Sequence, residues 1–197
     1  AAGVLPPFWR PGPESEMVGA LMDAMSDEEI LGQVFLVGYA SVHPAPELMA
    51  WIRARNIGGV KIFGWNAENL TVLADSVDRM QKAAFETRHG IPLFVATDQE
   101  GGWVRHVKGA TSVTPGNLAL GAARIPSDAY YSGYHIGREI RALGINMNFA
   151  PTVDVYTNPL AHVIGPRAFS SDPVLTGALA TAFYKGMARA PVRTGSE

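Results

Sequence analysis

Cysteine is absent from the 197 residues, so neither a disulfide nor a thiolate metal site exists in this chain. Absence of cysteine says nothing of compartment. No apolar run approaches the roughly 20 residues needed to cross a bilayer, and no signal-like apolar segment opens the chain. Charge of one sign is also lacking. The formal net charge is −2, with no basic stripe of the kind that binds nucleic acid and no acidic tail. G-x-G-x-x-G does not follow the first predicted strand, which argues against a dinucleotide fold, and H-E-x-x-H is missing. His43, His89, His135 and His162 are scattered without metal-ligand spacing, so no metal and no cofactor are expected. His135, within a predicted helix, reads as a packing residue.

What remains is a globular composition, 47% hydrophobic and 17% charged. The first residue is Ala1, and a processed form or a fragment is expected. Residues 1–16 read as an extended arm, because "AAGVLPPFWRPGP" carries four prolines and two glycines. Residues 17–197 read as one domain. "MSDEEILGQVFLVG" opens with a capping box, Ser26 and Glu29, before apolar Ile30, Leu31, Val34 and Phe35, which predicts a helix. "PELMAWIRARN" predicts a second. Then strands alternate with helices. "IGGVKIF" is a strand, "NLTVLADSVDRMQKAAFETRHG" a helix ending at Gly90, and "IPLFVAT" a strand apolar on both faces. "SDAYYSGYHIGREIRALG" is a helix ending at Gly144, and "INMNFAPTVDV" a third strand. The last helix, "SSDPVLTGALATAFYKGMARA", has Asp172 at its N-cap and Pro173 at its first position.

This alternation predicts a parallel α/β fold, either a doubly wound sheet or a (β/α) barrel. The third strand favours the barrel. Asn146, Asn148, Ala150, Thr152 and Asp154 share one face, suited to a polar lumen. Met147, Phe149, Pro151, Val153 and Val155 share the other, suited to packing on helices. Pro151 cannot donate a ladder hydrogen bond and predicts a bend.

In a barrel, chemistry gathers at the C-terminal strand ends. Asp98 follows "PLFVAT" directly and Asp154 lies near the end of the third strand. Gly101 and Gly102 permit a tight turn there. A carboxylate at a strand end can hold a hydroxylated substrate, accepting two hydrogen bonds from vicinal hydroxyls. Lys61 interrupts the apolar "GGVKIF". If it points inward it needs an acid from a neighbouring strand, Asp98 or Asp154.

Four segments, "ATDQEGGWV", "PGNLALGA", "GINMNFAPTVDVYTNP" and "VIGPRAFSSDP", resemble glycoside hydrolase family 3, in its β-N-acetylhexosaminidase-like branch. The resemblance runs from about Met17 to Ala190. It implies a TIM-type (β/α) barrel of which only the N-terminal part is present. It also implies retaining hydrolysis of terminal β-glycosides, with β-N-acetylglucosaminides from cell-wall fragments or chitooligosaccharides as the expected substrates. Asp98 and Arg167 would hold the sugar, unless Arg167 is instead paired with Asp172 or another loop acid. His106 stands where the family often has an arginine, with Arg105 before it. Adjacent extended residues point oppositely, so at most one of the two reaches substrate. His162 is a candidate for lining the site. Glu100 is expected to hold its turn by accepting backbone N–H bonds, and Trp103 to be a stacking platform or to pack over the loop.

No catalytic residue is expected within this chain. The family's Lys-His motif, acid/base histidine and aspartate nucleophile follow the last helix, whereas here the text after Ala190 is "PVRTGSE". A barrel typically takes about 250 residues. The alternative is a sugar-binding or scaffold fragment without catalysis. Open terminal strands would invite self-association, or a C-terminal segment would complete the barrel.

Overall fold

The computed structural model describes residues 7–190. The first six residues of the expected arm and the final "PVRTGSE" lie outside the described residues. The chain divides into two compact units, Ala1–Ala96 and Thr97–Glu197.

In the first unit, a 3-10 turn (Pro7–Trp9) precedes α1 (Glu14–Ala24) and α2 (Asp27–Gln33). Part of the expected arm is therefore ordered. The Trp9 indole N–H donates to Gly90 O at 2.8 Å, and Phe8 N–H to His89 O at 3.3 Å. The capping box forms as expected, with Ser26 Oγ accepting from Glu29 N–H and Glu29 accepting from Ser26 N–H.

The helix then stops at Gln33, and Leu36–Gly38 forms strand β1, where the sequence pattern had suggested continued helix. The cause is close packing. A Cβ on Gly32 would lie 2.0 Å from Arg55 O, and one on Gly58 would lie 1.9 Å from Gln33 O. With Gly58 N–H donating to Gly32 O, the end of α2 is locked against the chain entering the next strand. The following apolar run then leaves as a strand. After α3 (Pro46–Arg55), β2 (Gly59–Ile62) pairs parallel to β1, Leu36 opposite Gly59 and Gly38 opposite Lys61. Helix α4 (Leu70–Phe85), capped by Asn69, leads to β3 (Phe94–Thr97), which neighbours β2. Ile52, Val60, Ile62, Leu73, Met80 and Val95 form the core, each at most 1% exposed. Full burial of such side chains contributes about 1.5–3 kcal/mol apiece.

In the second unit, two short strands absent from the sequence reading, β4 (Gln99–Gly101) and β5 (Val104–Arg105), make an antiparallel hairpin. A helix also missed, α5 (Asn117–Ala123), precedes α6 (Pro126–Ala142). Strand β6 covers only Met147–Asn148, and α7 (Pro173–Ala188) carries the expected Asp172 cap, whose side chain accepts from Val174 and Leu175 N–H. Helices α6 and α7 approach closely because Gly133 and Gly186 face backbone: an added Cβ would lie 2.1 Å from Phe183 O and 1.9 Å from Tyr130 O.

The expected third strand, Ile145 to Val155, is thus mostly irregular. Phe149 N–H still donates to Thr97 O at 2.9 Å, but the Ala150–Pro151 peptide is cis and Pro151 has no donor with which to extend a ladder. Consequently the apolar set does not all face helices: Phe149 and Val153 are exposed. His135 is exposed too, on the outer face of α6, and does not pack in the core.

Candidate functional site

Four of the polar residues singled out in the sequence, Asp98, Glu100, His106 and Arg167, lie at the hairpin that follows β3 or pair with it. Asp98 is the hinge residue between β3 and β4. The residue after it, Gln99, is clamped through both its side chain and its backbone. The Gln99 side chain, 2% exposed, donates to Val107 O at 2.7 Å and accepts from Val107 N–H at 3.0 Å. The Asn148 amide accepts from Gln99 N–H at 2.9 Å and donates to Gln99 O at 3.0 Å. Each amide thereby takes the place of a missing strand neighbour, and burial without these bonds would be costly.

Gly101 and Gly102 adopt positive φ (89° and 55°). A Cβ on Gly101 would meet Thr114 Oγ1 at 2.6 Å, and one on Gly102 would meet Gly116 Cα at 2.6 Å. Only glycine fits both the conformation and the space.

The hairpin returns to place His106 beside Asp98. His106 N–H donates to Asp98 O at 3.4 Å, and its Nε2 lies 3.4 Å from Asp98 Oδ2. Both side chains are about one-quarter exposed, 27% and 23%. Arg105 turns the other way, its Nη2 donating to Thr111 Oγ1 at 3.3 Å. Period-two geometry thus separates the two adjacent candidates, and His106 is the one on the Asp98 side.

Arg167 sits in the 3-10 turn Gly165–Arg167, its carbonyl held by the Asn117 amide at 2.6 Å. Its guanidinium forks onto Glu100. Nη2 donates to Oε1 at 2.7 Å, and Nε lies 3.1 Å from Oε2. Glu100 is 3% exposed and Arg167 29%. The planar, bidentate arrangement matches the strong class of charge-assisted pair. The Glu100 hydrogen bonds hold the Arg167 pKa above its ordinary value, burial opposes this, and the charges of Glu100, Asp154 and Asp98 add to it. Asp98, Glu100, Asp154 and Arg167 therefore share one electrostatic neighbourhood.

Two expectations change here. Among the described residues Glu100 accepts from the guanidinium of Arg167 and not from backbone N–H groups, a full countercharge for a buried carboxylate. Of the acids considered for Arg167, Asp172 is occupied at its helix cap, and Glu100 is the partner.

The remaining candidates are more peripheral. Asp154 and His162 are exposed, and His162 N–H donates to Leu160 O within its own turn. Lys61 belongs to the first unit. It is half-buried between the fully buried Val60 and Ile62, with Nζ 5.3 Å from the Phe63 ring centroid. Trp103, at the hairpin turn, is 80% exposed and does not pack over the loop. Among the described residues, no group of three or more His, Cys, Asp or Glu side chains is placed to hold a metal ion.

Gln99 and Asn117 went unnoticed in the sequence, and Asn148 was placed only on a polar strand face. Their partners are backbone groups 8, 50 and 49 residues away, which no local pattern reveals.

Comparison with known proteins gives a consistent result. The Glycosyl hydrolase family 3 N terminal domain family matches residues 25–196. Beta-hexosaminidase A of Pseudoalteromonas piscicida is 40% identical over 152 residues, which is 75% of this chain and 25% of that protein. Beta-hexosaminidase LpqI of Mycobacterium tuberculosis is 31% identical, over 85% of this chain and 41% of that protein. Among solved structures, a glycoside hydrolase family 3 beta-N-acetylglucosaminidase from Paenibacillus sp. str. FPU-7 superimposes with a TM-score of 0.82 at 34% identity. That match covers 85% of this chain and 32% of the other. The chain spans about a quarter to a half of the length of the curated relatives it matches.

Proposed function

The chain belongs to the glycosyl hydrolase family 3 N-terminal domain family, with that family's TIM-barrel-like α/β fold, and from this premise we propose that it supplies the sugar-holding part of a retaining β-glycosidase. The proposed substrates are terminal β-N-acetylglucosaminides, as in cell-wall fragments and chitooligosaccharides. Support for that class comes from the relatives' names, beta-hexosaminidase and beta-N-acetylglucosaminidase.

Asp98 is proposed to accept hydrogen bonds from pyranose hydroxyls, with His106 beside it as a donor. Arg167 is proposed to donate from the edge of its guanidinium not engaged by Glu100. Glu100 and Asn117 act on substrate only through Arg167, by fixing its plane and its backbone. No residue of this chain is assigned as nucleophile or general acid, the two groups that retaining hydrolysis requires.

The single observation that carries this reading is the convergence of Asp98, His106 and the Glu100-anchored Arg167 within one unit. The test is hydrolysis of p-nitrophenyl N-acetyl-β-glucosaminide by the full-length protein and its Asp98→Asn variant. Losing a charged acceptor costs about 1.5–3 kcal/mol, so kcat/KM should fall roughly 10- to 100-fold. Unchanged kcat/KM in the variant would remove Asp98 from the site. Binding of the sugar without turnover by the unmodified protein would favour a non-catalytic sugar-binding role instead.

A further inference from the structure

We propose that Trp103 is a stacking platform for the sugar ring next to the one held at Asp98 and Arg167, and that it sets a preference for oligosaccharides over a single N-acetylhexosamine. The inference rests on the sugar-holding role proposed above.

The first observation is that this tryptophan is uncovered without being loose. Its indole is 80% exposed. The other three tryptophans are about half-covered, at 45%, 51% and 48%. Trp9 and Trp65 have indole N–H partners at Gly90 O and Tyr39 O, and Trp65 stacks on Phe63 at 4.6 Å. Among the described residues, Trp103 makes neither a hydrogen bond nor a ring contact. Yet the turn that carries it is fixed. Gly102 N–H donates to Thr114 O at 3.1 Å, and Gly101 and Gly102 lie against Thr114 and Gly116 with no room for a side chain. The backbone beneath it is held in place while the ring forgoes burial, so a broad apolar face is left available to a ligand.

The second observation is where the turn stands. Asp98 and His106 close the base of the hairpin, and Gly102–Trp103 forms its tip. Along β5, Val104 and Arg105 separate His106 from Trp103, three residue steps or about 10 Å at ~3.3 Å per residue. That is farther than one pyranose held at the base reaches, and within reach of the ring attached to it. The chemistry suits the place. One face of a β-linked pyranose presents a set of axial C–H groups, which dock on the electron-rich face of an aromatic ring, and indole offers the largest such face. Polar groups at the base would then fix the terminal sugar, while the tip contacts the neighbouring ring.

The test is calorimetry on the full-length protein with two ligands that it does not cleave quickly. One is methyl N-acetyl-β-glucosaminide. The other is the sulfur-linked disaccharide of N-acetylglucosamine. The unmodified protein is expected to bind the disaccharide roughly three- to tenfold more tightly than the single ring. Trp103→Ala should abolish that advantage and leave single-ring affinity within twofold, and Trp103→Phe should retain part of it. An exposed side chain leaves the fold unaffected, so the melting temperature of both variants should match the parent. An undiminished disaccharide advantage in Trp103→Ala overturns the inference, as does equal weakening of both ligands. If the unmodified protein binds neither sugar, this inference and the sugar-holding role fall together. If it binds the single ring at Asp98 but Trp103→Ala changes nothing, this inference alone falls.

Discussion

Replacing Arg167 by alanine should destabilise the protein far more than an arginine 29% exposed would ordinarily imply. The reason is Glu100. Its side chain is 3% exposed, and both of its oxygens receive the guanidinium, at 2.7 and 3.1 Å. Without Arg167 the carboxylate stays in place, desolvated and without its countercharge. Breaking a buried pair from one side costs about 3–5 kcal/mol, and the partial exposure of Arg167 lets water recover some of this, leaving about 2–3 kcal/mol. For a domain of this size, that lowers the melting temperature by roughly 4–12 °C. Glu100→Gln keeps an acceptor for the guanidinium, which is already partly hydrated, so about 1 kcal/mol is expected. The double variant Arg167→Ala/Glu100→Gln should be more stable than Arg167→Ala alone, because the stranded charge is gone. Urea denaturation of the four proteins completes the cycle, and a coupling of at least 1 kcal/mol is expected. Additive effects, or an Arg167→Ala cost below about 0.5 kcal/mol, would refute the claim that Glu100 depends on Arg167 for its burial.

Two further outcomes are expected. Glu29 accepts from Arg88, Ser26 N–H and Asn56, and the Arg88 hydrogen bond above all lowers its pKa from 4.5 to about 2. A lowered carboxylate pKa stabilises the fold fully above about pH 4.5, and that stability is lost as pH falls toward about 2. Allowing for solvent screening at Arg88, roughly 1–2 kcal/mol is involved. Denaturation of Glu29→Gln across this window should show a flatter pH profile than the parent, and parallel profiles would exclude Glu29. Gly101→Ala should cost about 1–3 kcal/mol, since it adds a Cβ 2.6 Å from Thr114 Oγ1 at φ 89°. Urea denaturation showing a neutral or stabilising effect would contradict the described turn.

What was legible in the sequence was whatever depends on neighbours along the chain. The Ser26–Glu29 box, the Asp172 cap and the amphipathic runs of α4 and α6 are local signals, and they formed. Strand β1 was hidden because its onset is decided by Gly32 and Gly58 meeting backbone from other elements. The third strand was read too long, because alternation of polar and apolar residues continues past the point where Pro151 removes the ladder donor. At the site, the resemblance to glycoside hydrolase family 3 pointed to Asp98 and Arg167, and alternation foretold that Arg105 and His106 would part company. The Glu100–Arg167 fork spans 67 residues, and the backbone clamps of Asn117 and Asn148 span 50 and 49. Such pairings exist only once the chain has folded, so residue type alone left Glu100 looking like a turn-holder.

The most direct measurement is a crystal structure of the full-length protein with methyl N-acetyl-β-glucosaminide bound. The account predicts one pyranose whose hydroxyls bond both the Asp98 carboxylate and the Arg167 guanidinium, with the Glu100 fork intact. A sugar bound elsewhere, with Asp98 and Arg167 keeping only their bonds within the chain, would contradict it.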